Sequence, residues 1–231
     1  MNFDETFAKV ENFFVNNDFQ EESVMLSKID IKTFLTLVLL YGVDEIIESG
    51  VYKGYSTKIL NSFGKKFKIN VTSFEFYNTQ FLKKLNKDFR VIIEDSYLGI
   101  PKLLSTFSKK KNIAILIDGP KRSPALSFSY FLCNNFNNIK FCYLDDIGLL
   151  RYRKNLPNLL KIKELSRNNI FDVEDINDAA IVENKKKINW IFNDLRRIPI
   201  NPFFLNFFYK IKLFKYFKKI FKFYYYCDTY W

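Results

Sequence analysis

The chain contains no histidine among its 231 residues. This absence excludes histidine-dependent catalytic triads, histidine-ligated zinc sites and histidine proton shuttles. A catalytic base in this protein must therefore be an aspartate, glutamate, lysine, tyrosine or cysteine. Glycine and proline are also scarce, with 7 and 6 residues respectively. That scarcity excludes a collagen-like chain and a chain made mostly of flexible linkers.

Cysteine and long apolar runs are limited as well. The three cysteines, Cys133, Cys142 and Cys227, are an odd number without the spacing of metal ligands. We therefore expect a reduced compartment, with Cys133 and Cys142 as small core residues. The longest apolar run, residues 34–43, is about half of the length that a membrane-spanning helix needs. Residues 1–14 carry acids and lack the apolar segment of a signal peptide, so we expect a cytoplasmic protein.

The positive charge of the chain is concentrated near its C-terminus. The formal net charge is +11, and residues 196–231 contain eight of the 36 basic residues but only one of the 25 acidic ones. The first 195 residues have a net charge of only +4. Pro199 and Pro202 stand at the start of the basic segment. We therefore divide the chain into a folded domain, residues 1–195, and a C-terminal extension, residues 196–231.

The apolar pattern of the domain alternates between strand-like and helix-like segments. The predicted strands cover residues 44–49, 69–76, 90–94, 113–117 and 139–144, and the helices that follow them cover 55–62, 79–85, 98–107, 124–136 and 149–165. Residues 179–183 and 188–192 are expected to form a closing hairpin. Strand-then-helix units in succession predict an α/β fold with a doubly wound, mostly parallel sheet.

Each of the predicted parallel strands ends at or next to an acidic residue. In an open α/β sheet, ligands bind at the carboxyl ends of the strands. The candidate site residues are therefore these acids and their neighbours: Glu48, Glu75, Asp95 with Ser96, Asp118 with Lys121, and Asp145 with Asp146. The structural alternative for the acids is helix capping or a solvated loop, and for the lysine an ordinary surface position.

The segment after the first strand has the pattern of a ligand-binding turn. Gly50 allows a tight turn, and Gly54 allows the start of the next helix to approach a ligand. Their spacing differs from the G-x-G-x-x-G of dinucleotide sites, and no phosphate-binding G-K-S/T follows. The loop therefore indicates a ligand without a pyrophosphate. In such a site, Glu48 can accept a hydrogen bond from an ammonium or from a loop amide.

Residues 47–56 read Ile-Glu-Ser-Gly-Val-Tyr-Lys-Gly-Tyr-Ser, and this run resembles the first motif of the class I S-adenosylmethionine-dependent methyltransferases. It is similar to the form of the catechol O-methyltransferase-like group. The resemblance covers roughly residues 30–150 and implies a Rossmann-like fold. It also implies contacts with S-adenosylmethionine: the methionine part at Glu48, Gly50, Tyr52, Gly54 and Ser56, the ribose at Glu75, the adenine at Asp95 and Ser96, and a further contact at Asp118.

The resemblance extends to the catalytic chemistry. In the metal-dependent O-methyltransferases, acids after the fourth and fifth strands hold one Mg²⁺, which implies a metal site at Asp118, Asp145 and Asp146. Lys121 lies where that group has its general base, with Asp118 beside it. The Gly-Pro pair between these two residues is similar to cephalosporin hydroxylase-like and sugar methyltransferase-like proteins. The expected reaction is methyl transfer to a hydroxyl of a small molecule or glycan.

The C-terminal extension has the pattern of a basic amphipathic helix. Over residues 203–223, phenylalanines recur with a helical period on one side and lysines crowd the other. This pattern predicts peripheral binding to an anionic membrane surface, on the inner face of the membrane, and favours a lipid-linked or surface glycan as acceptor. The alternatives are docking of the helix on the domain, a homodimer contact and, least favoured, binding to nucleic acid.

Two other functions fit parts of the sequence. A nucleotide-sugar-dependent glycosyltransferase could bind a metal–diphosphate through Asp145 and Asp146, but the loop between Glu48 and Gly54 argues against this reading. A degenerate fold could act as a non-catalytic membrane-surface protein. The intact glycine loop argues against that reading too.

Overall fold

The computed structural model describes residues 2–19, 26–77, 80–119, 121–145, 159–161, 165 and 179–185. Asp146, Cys227, the predicted strand 188–192 and the C-terminal extension lie outside these residues. The described strands are β1 (Glu45–Ser49), β2 (Asn70–Glu75), β3 (Val91–Ile93), β4 (Ile113–Ile117), β5 (Ile139–Leu144), β6 (Leu159–Lys161) and β7 (Ala180–Glu183). The described helices are α1 (Phe3–Val15), α2 (Lys28–Leu40), α3 (Tyr55–Phe67), α4 (Gln80–Asp88), α5 (Ser96–Leu104) and α6 (Arg122–Asn135).

The strands form one sheet in the order β3-β2-β1-β4-β5-β7-β6. Strands β1 to β5 pair in parallel, whereas β7 runs antiparallel to both β5 and β6. The chain reverses its direction of winding between β1 and β4, which is the topological switch point where open α/β sheets bind ligands. The predicted Rossmann-like, mostly parallel and doubly wound sheet is confirmed.

Both faces of the sheet are covered by helices, which explains why the central strand β4 is a continuous apolar run. In β4, Ile113, Ile115 and Ile117 belong to the core that includes residues of α5 and α6. The alternate residues Ala114 and Leu116 belong to the core on the opposite face, with residues of α1, α2 and α3. This division follows from the two-residue period of a strand, and it leaves no side chain of β4 exposed.

Two N-terminal helices add to the layer next to α3, and the sequence patterns did not predict them. The side chain of Asn2 caps α1 by accepting a hydrogen bond from the Glu5 amide at 2.9 Å, as part of a capping box. Aromatic rings join α1 to α3, for example Phe13 and Phe63, whose centroids lie 5.2 Å apart. The unusually high phenylalanine content therefore serves, at least here, to fill the core.

Two expectations drawn from composition can be compared with the structure. Cys133 in α6 and Cys142 in β5 are both buried, and their Sγ atoms lie 3.9 Å apart. The prediction that both are core residues is confirmed. Among the residues that the structure describes, no helix is long and apolar enough to cross a membrane.

One prediction about the C-terminal part of the domain is wrong. A helix is expected over residues 149–165, but this range contains the strand β6. A short apolar run fits a strand as well as a helix, and here β7 supplies a pairing edge for it. The first strand of the expected hairpin, residues 179–183, corresponds to β7, which pairs with β5 and β6, and its second strand, residues 188–192, lies outside the described residues. Helix α5 also begins two residues earlier than predicted, which moves Pro101 out of its first turn.

Candidate cofactor and catalytic site

The loops that follow β1 and β4 touch at the switch point. The backbone amides of Asp118 and Gly119 both donate to the carbonyl oxygen of Ser49, each at 2.9 Å. Gly50 has a φ of +95°, and a Cβ atom at this position would lie 2.8 Å from the amide nitrogen of Gly119. Glycine is therefore required at position 50 by its backbone conformation and by the close approach of the two loops.

The rest of the β1 loop turns the chain into α3. The Gly54 amide donates to the carbonyl oxygen of Val51 at 2.7 Å, and Gly54 itself has a φ of +73°. Tyr52 also has a positive φ, and its side chain is 62% exposed. No described side chain caps the N-terminus of α3. The first turn of this helix therefore has backbone N–H groups that can bind an anion at the carboxyl edge of the sheet.

Glu48 lies inside the domain, beneath this loop. Its carboxylate accepts hydrogen bonds from the hydroxyls of Ser56 at 2.5 Å, Thr57 at 2.6 Å and Ser73 at 2.6 Å. Complete burial raises the pKa of Glu48, the three hydroxyl donors oppose this rise, and the charge of Glu75 adds to it. The sequence suggested an ammonium or a loop amide as the partner of Glu48. The described partners are instead three hydroxyls. The predicted cofactor contacts of Glu48 and Ser56 stay predictions.

Glu75 ends β2 and joins two loops. One carboxylate oxygen accepts from the amides of Val51 and Tyr52, both at 2.9 Å. The other accepts from the amides of Phe76 at 2.7 Å and Tyr77 at 3.1 Å. A carboxylate has about four acceptor sites, and these four amides can fill them. A ribose at Glu75 must therefore share or exchange some of these hydrogen bonds.

Asp95 and Ser96 stand at the start of α5, and both are buried. Asp95 is the N-cap residue, and its side chain accepts a hydrogen bond from the Tyr97 amide at 2.9 Å. The hydroxyls of Ser96 and Ser49 lie 2.7 Å apart, and this contact ties α5 to the end of β1. Capping accounts for the contact between Asp95 and Tyr97, and the predicted approach of Asp95 and Ser96 to an adenine stays a prediction.

Asp118 and Asp145 are brought together at the ends of β4 and β5, as predicted. Lys121 lies between them, and its ammonium donates to Asp118 Oδ1 at 2.5 Å and to Asp145 Oδ2 at 3.0 Å. The lysine side chain is 35% exposed, and those of Asp118 and Asp145 are 20% and 12% exposed. The group is therefore reached by solvent while remaining mostly covered.

The described residues of this group do not fit a metal ion in this arrangement. Mg²⁺ needs oxygen ligands at about 2.0–2.1 Å, and the two described carboxylates instead share an ammonium. No group of three metal-binding side chains occurs in the described part of the chain. Asp146, the third predicted ligand, lies outside the described residues.

Several residues that organise the site were not singled out from the sequence. The hydroxyls of Thr57 and Ser73 donate to the buried carboxylate of Glu48. The carbonyl oxygen of Ser49 accepts from the amides of the loop after β4. The signal for Ser73 is the register of the sheet, because Ser73 pairs directly with Glu48 across β1 and β2. That register cannot be read before the two strands are known to be neighbours. Ser49 is the last residue of β1, adjacent to the glycine that begins the loop.

Comparisons with known proteins find similarity to solved structures, but no similarity to a family model or to a curated protein. A methyltransferase of Podospora anserina bound to SAH is similar over 80% of this chain and 88% of its own, with 12% identity and a TM-score of 0.46. An O-methyltransferase of Bacillus cereus in complex with SAH is similar over 77% of this chain and 89% of its own, with 15% identity and a TM-score of 0.46.

Proposed function

We propose that this protein is an S-adenosylmethionine-dependent methyltransferase that acts on a hydroxyl oxygen of a small molecule or glycan. The observation that carries the proposal is the junction of Glu75 with the glycine loop. The carboxylate at the end of β2 accepts from the amides of Val51 and Tyr52 in the loop after β1. An acid and a glycine turn thus meet at the switch point, where a ligand with a ribose and an amino acid part would lie.

The proposal assigns one part of the cofactor to each element. The methionine part lies along the loop from Gly50 to Gly54, and its carboxylate accepts hydrogen bonds from the first turn of α3. The ribose hydroxyls donate to Glu75. The adenine lies toward the start of α5, at Asp95 and Ser96.

Methyl transfer from a sulfonium is an in-line displacement. A bond forms between the acceptor oxygen and the methyl carbon while the carbon–sulfur bond breaks, and the hydroxyl proton passes to a base. An ammonium that donates to two carboxylates has no lone pair with which to accept that proton, which argues against Lys121 as the base. We therefore assign this role to Asp118, the more exposed of the two described carboxylates.

Calorimetric titration with S-adenosylhomocysteine tests the cofactor assignment. Glu75→Ala should weaken binding roughly tenfold to a hundredfold, because a hydrogen bond to a charged acceptor contributes about 1.5–3 kcal/mol. Glu11→Gln is the control, since Glu11 is a partly exposed acid of α1 that pairs with Lys32. Unchanged affinity in folded Glu75→Ala protein would exclude the ribose assignment. A wild-type protein that binds a nucleotide diphosphate sugar but no S-adenosylhomocysteine would favour the glycosyltransferase alternative.

We also propose that residues 196–231 bind an anionic membrane surface, which would bring the domain to a lipid-linked or surface glycan. The support is the net charge of the segment and its alternation of phenylalanine and lysine. The full chain should bind vesicles that contain anionic lipid at low salt, and binding should weaken as salt rises, because exposed charges are screened over about 8–10 Å at physiological ionic strength.

Deletion of residues 199–231 should abolish vesicle binding and leave S-adenosylhomocysteine binding intact, because the proposed cofactor residues all precede the deletion. Vesicle cosedimentation measures the first effect and calorimetry the second. A full chain that ignores anionic vesicles and dimerises through residues 199–231 would assign the extension to an oligomer contact instead. An insoluble truncated protein would indicate that the aromatic residues belong to the core.

A further inference from the structure

Lys121 occupies a position that the local structure of its helix does not favour. It is the N-cap residue of α6, where no side-chain cap is present, and Arg122 follows it. The N-terminus of a helix carries partial positive charge, so anions stabilise this end and cations destabilise it. The lysine at the start of α6 therefore needs an explanation outside the helix. The two aspartates that face Lys121 provide one.

The sheet determines where those two aspartates lie. Ile117 and Leu144, the last residues of β4 and β5, pair in parallel register, and each is followed directly by one of the acids. The Asp145 amide also donates to the carbonyl oxygen of Ile117 at 3.1 Å. Two carboxylates at adjacent strand ends would repel each other without a cation between them. A positive charge between the two carboxylates relieves this repulsion.

We infer that the Lys121 ammonium is the resident cation of this site and takes the position that a divalent metal would otherwise fill between Asp118 and Asp145. The ammonium contacts one oxygen of each carboxylate, at 2.5 Å and 3.0 Å. A lysine ammonium is a compact charge with three donors, so it can bridge two acids and neutralise part of their charge. A metal bound to the same two oxygens would place its double charge beside the ammonium, and the two cations would repel each other.

This inference refines the proposed function, because it concerns how the acceptor end of that site is charged, but its test is independent of any cofactor. The wild-type protein, titrated with MnCl₂ alone, should show no saturable binding up to about 1 mM. Lys121→Ala should gain a single Mn²⁺ site at least about tenfold tighter than any wild-type binding, because the two carboxylates lose their ammonium. Water proton relaxation and calorimetry both report the bound ion.

Three further variants locate the effect. Lys121→Ala combined with Asp145→Asn should lose the gained site, because one of its two described ligands is removed. Lys111→Ala is the matched control: Lys111 is also partly buried and, among the residues that the structure describes, pairs with a single carboxylate, that of Glu45 at 2.6 Å, at the other end of β1. It should gain no Mn²⁺ site. Lys121→Met, which retains the aliphatic part of the side chain, replaces Lys121→Ala if that variant does not fold.

Two results would overturn the inference. One is a wild-type protein that binds one equivalent of Mn²⁺ and loses it on Asp118→Asn, because the ammonium then does not exclude the metal. The other is a folded Lys121→Ala or Lys121→Met protein that gains no Mn²⁺ affinity. Titration of the same samples with S-adenosylhomocysteine reports separately on the proposed function, so the two failures can be told apart.

Discussion

Gly50→Ala should lower the free energy of unfolding by roughly 2–5 kcal/mol and remove the binding of S-adenosylhomocysteine. Two costs combine at this position. A φ of +95° is unfavourable for any residue with a Cβ, and that Cβ would meet the amide nitrogen of Gly119 at 2.8 Å. Relief of this overlap must separate the loops of β1 and β4, which moves the proposed cofactor loop. Urea denaturation and calorimetry measure the two effects.

Gly42→Ala is the matched control for this experiment. Gly42 also has a positive φ, +56°, but a Cβ atom there would have no neighbour within 4 Å. It should therefore incur only the conformational cost of about 1–2 kcal/mol and bind S-adenosylhomocysteine like the wild type. Equal destabilisation by the two substitutions would mean that the contact between Gly50 and Gly119 contributes nothing.

Glu48→Ala should destabilise the domain by roughly 3–6 kcal/mol, because three buried hydroxyls lose their acceptor and each such loss costs about 1–3 kcal/mol. These hydroxyls belong to α3 and β2, so the substitution removes a link between the loop-bearing helix and the sheet. Chemical denaturation measures the loss. A decrease below about 1 kcal/mol would show that the hydroxyls find other acceptors.

Glu48→Gln separates the charge of this group from its shape. Burial raises the pKa of Glu48 above its ordinary value of 4.5, so the folded protein binds this proton more tightly than the unfolded chain does. The stabilisation linked to this more tightly held proton is therefore fully present below pH 4.5 and is lost as pH rises through the folded pKa. In that window the wild type should lose up to about 1.4 kcal/mol per pH unit relative to Glu48→Gln. Parallel stability curves for the two proteins would contradict the raised pKa.

The sequence by itself determined where the five parallel strands lie along the chain. It also determined the position of the glycine turn after the first strand. β4 is an apolar run buried on both faces, and most of β5 is buried as well, and such strands need little context to be recognised. Gly50 and Gly54 reveal the turn because their positive φ angles exclude most other residues. The acids at the strand ends could be grouped because parallel strands finish at the same edge of a sheet.

Only the tertiary structure decided which partner each polar side chain has. The pattern of residues identified Glu48, Glu75 and Lys121, but not the three hydroxyls, the four amides or the two carboxylates that they contact. It also did not show β6 inside an expected helix, because a three-residue segment such as Leu159–Lys161 becomes a strand only where a neighbour offers an edge. Hydrogen bonds and ion pairs join residues far apart in the chain, so they are defined by the packing of elements and not by local periodicity.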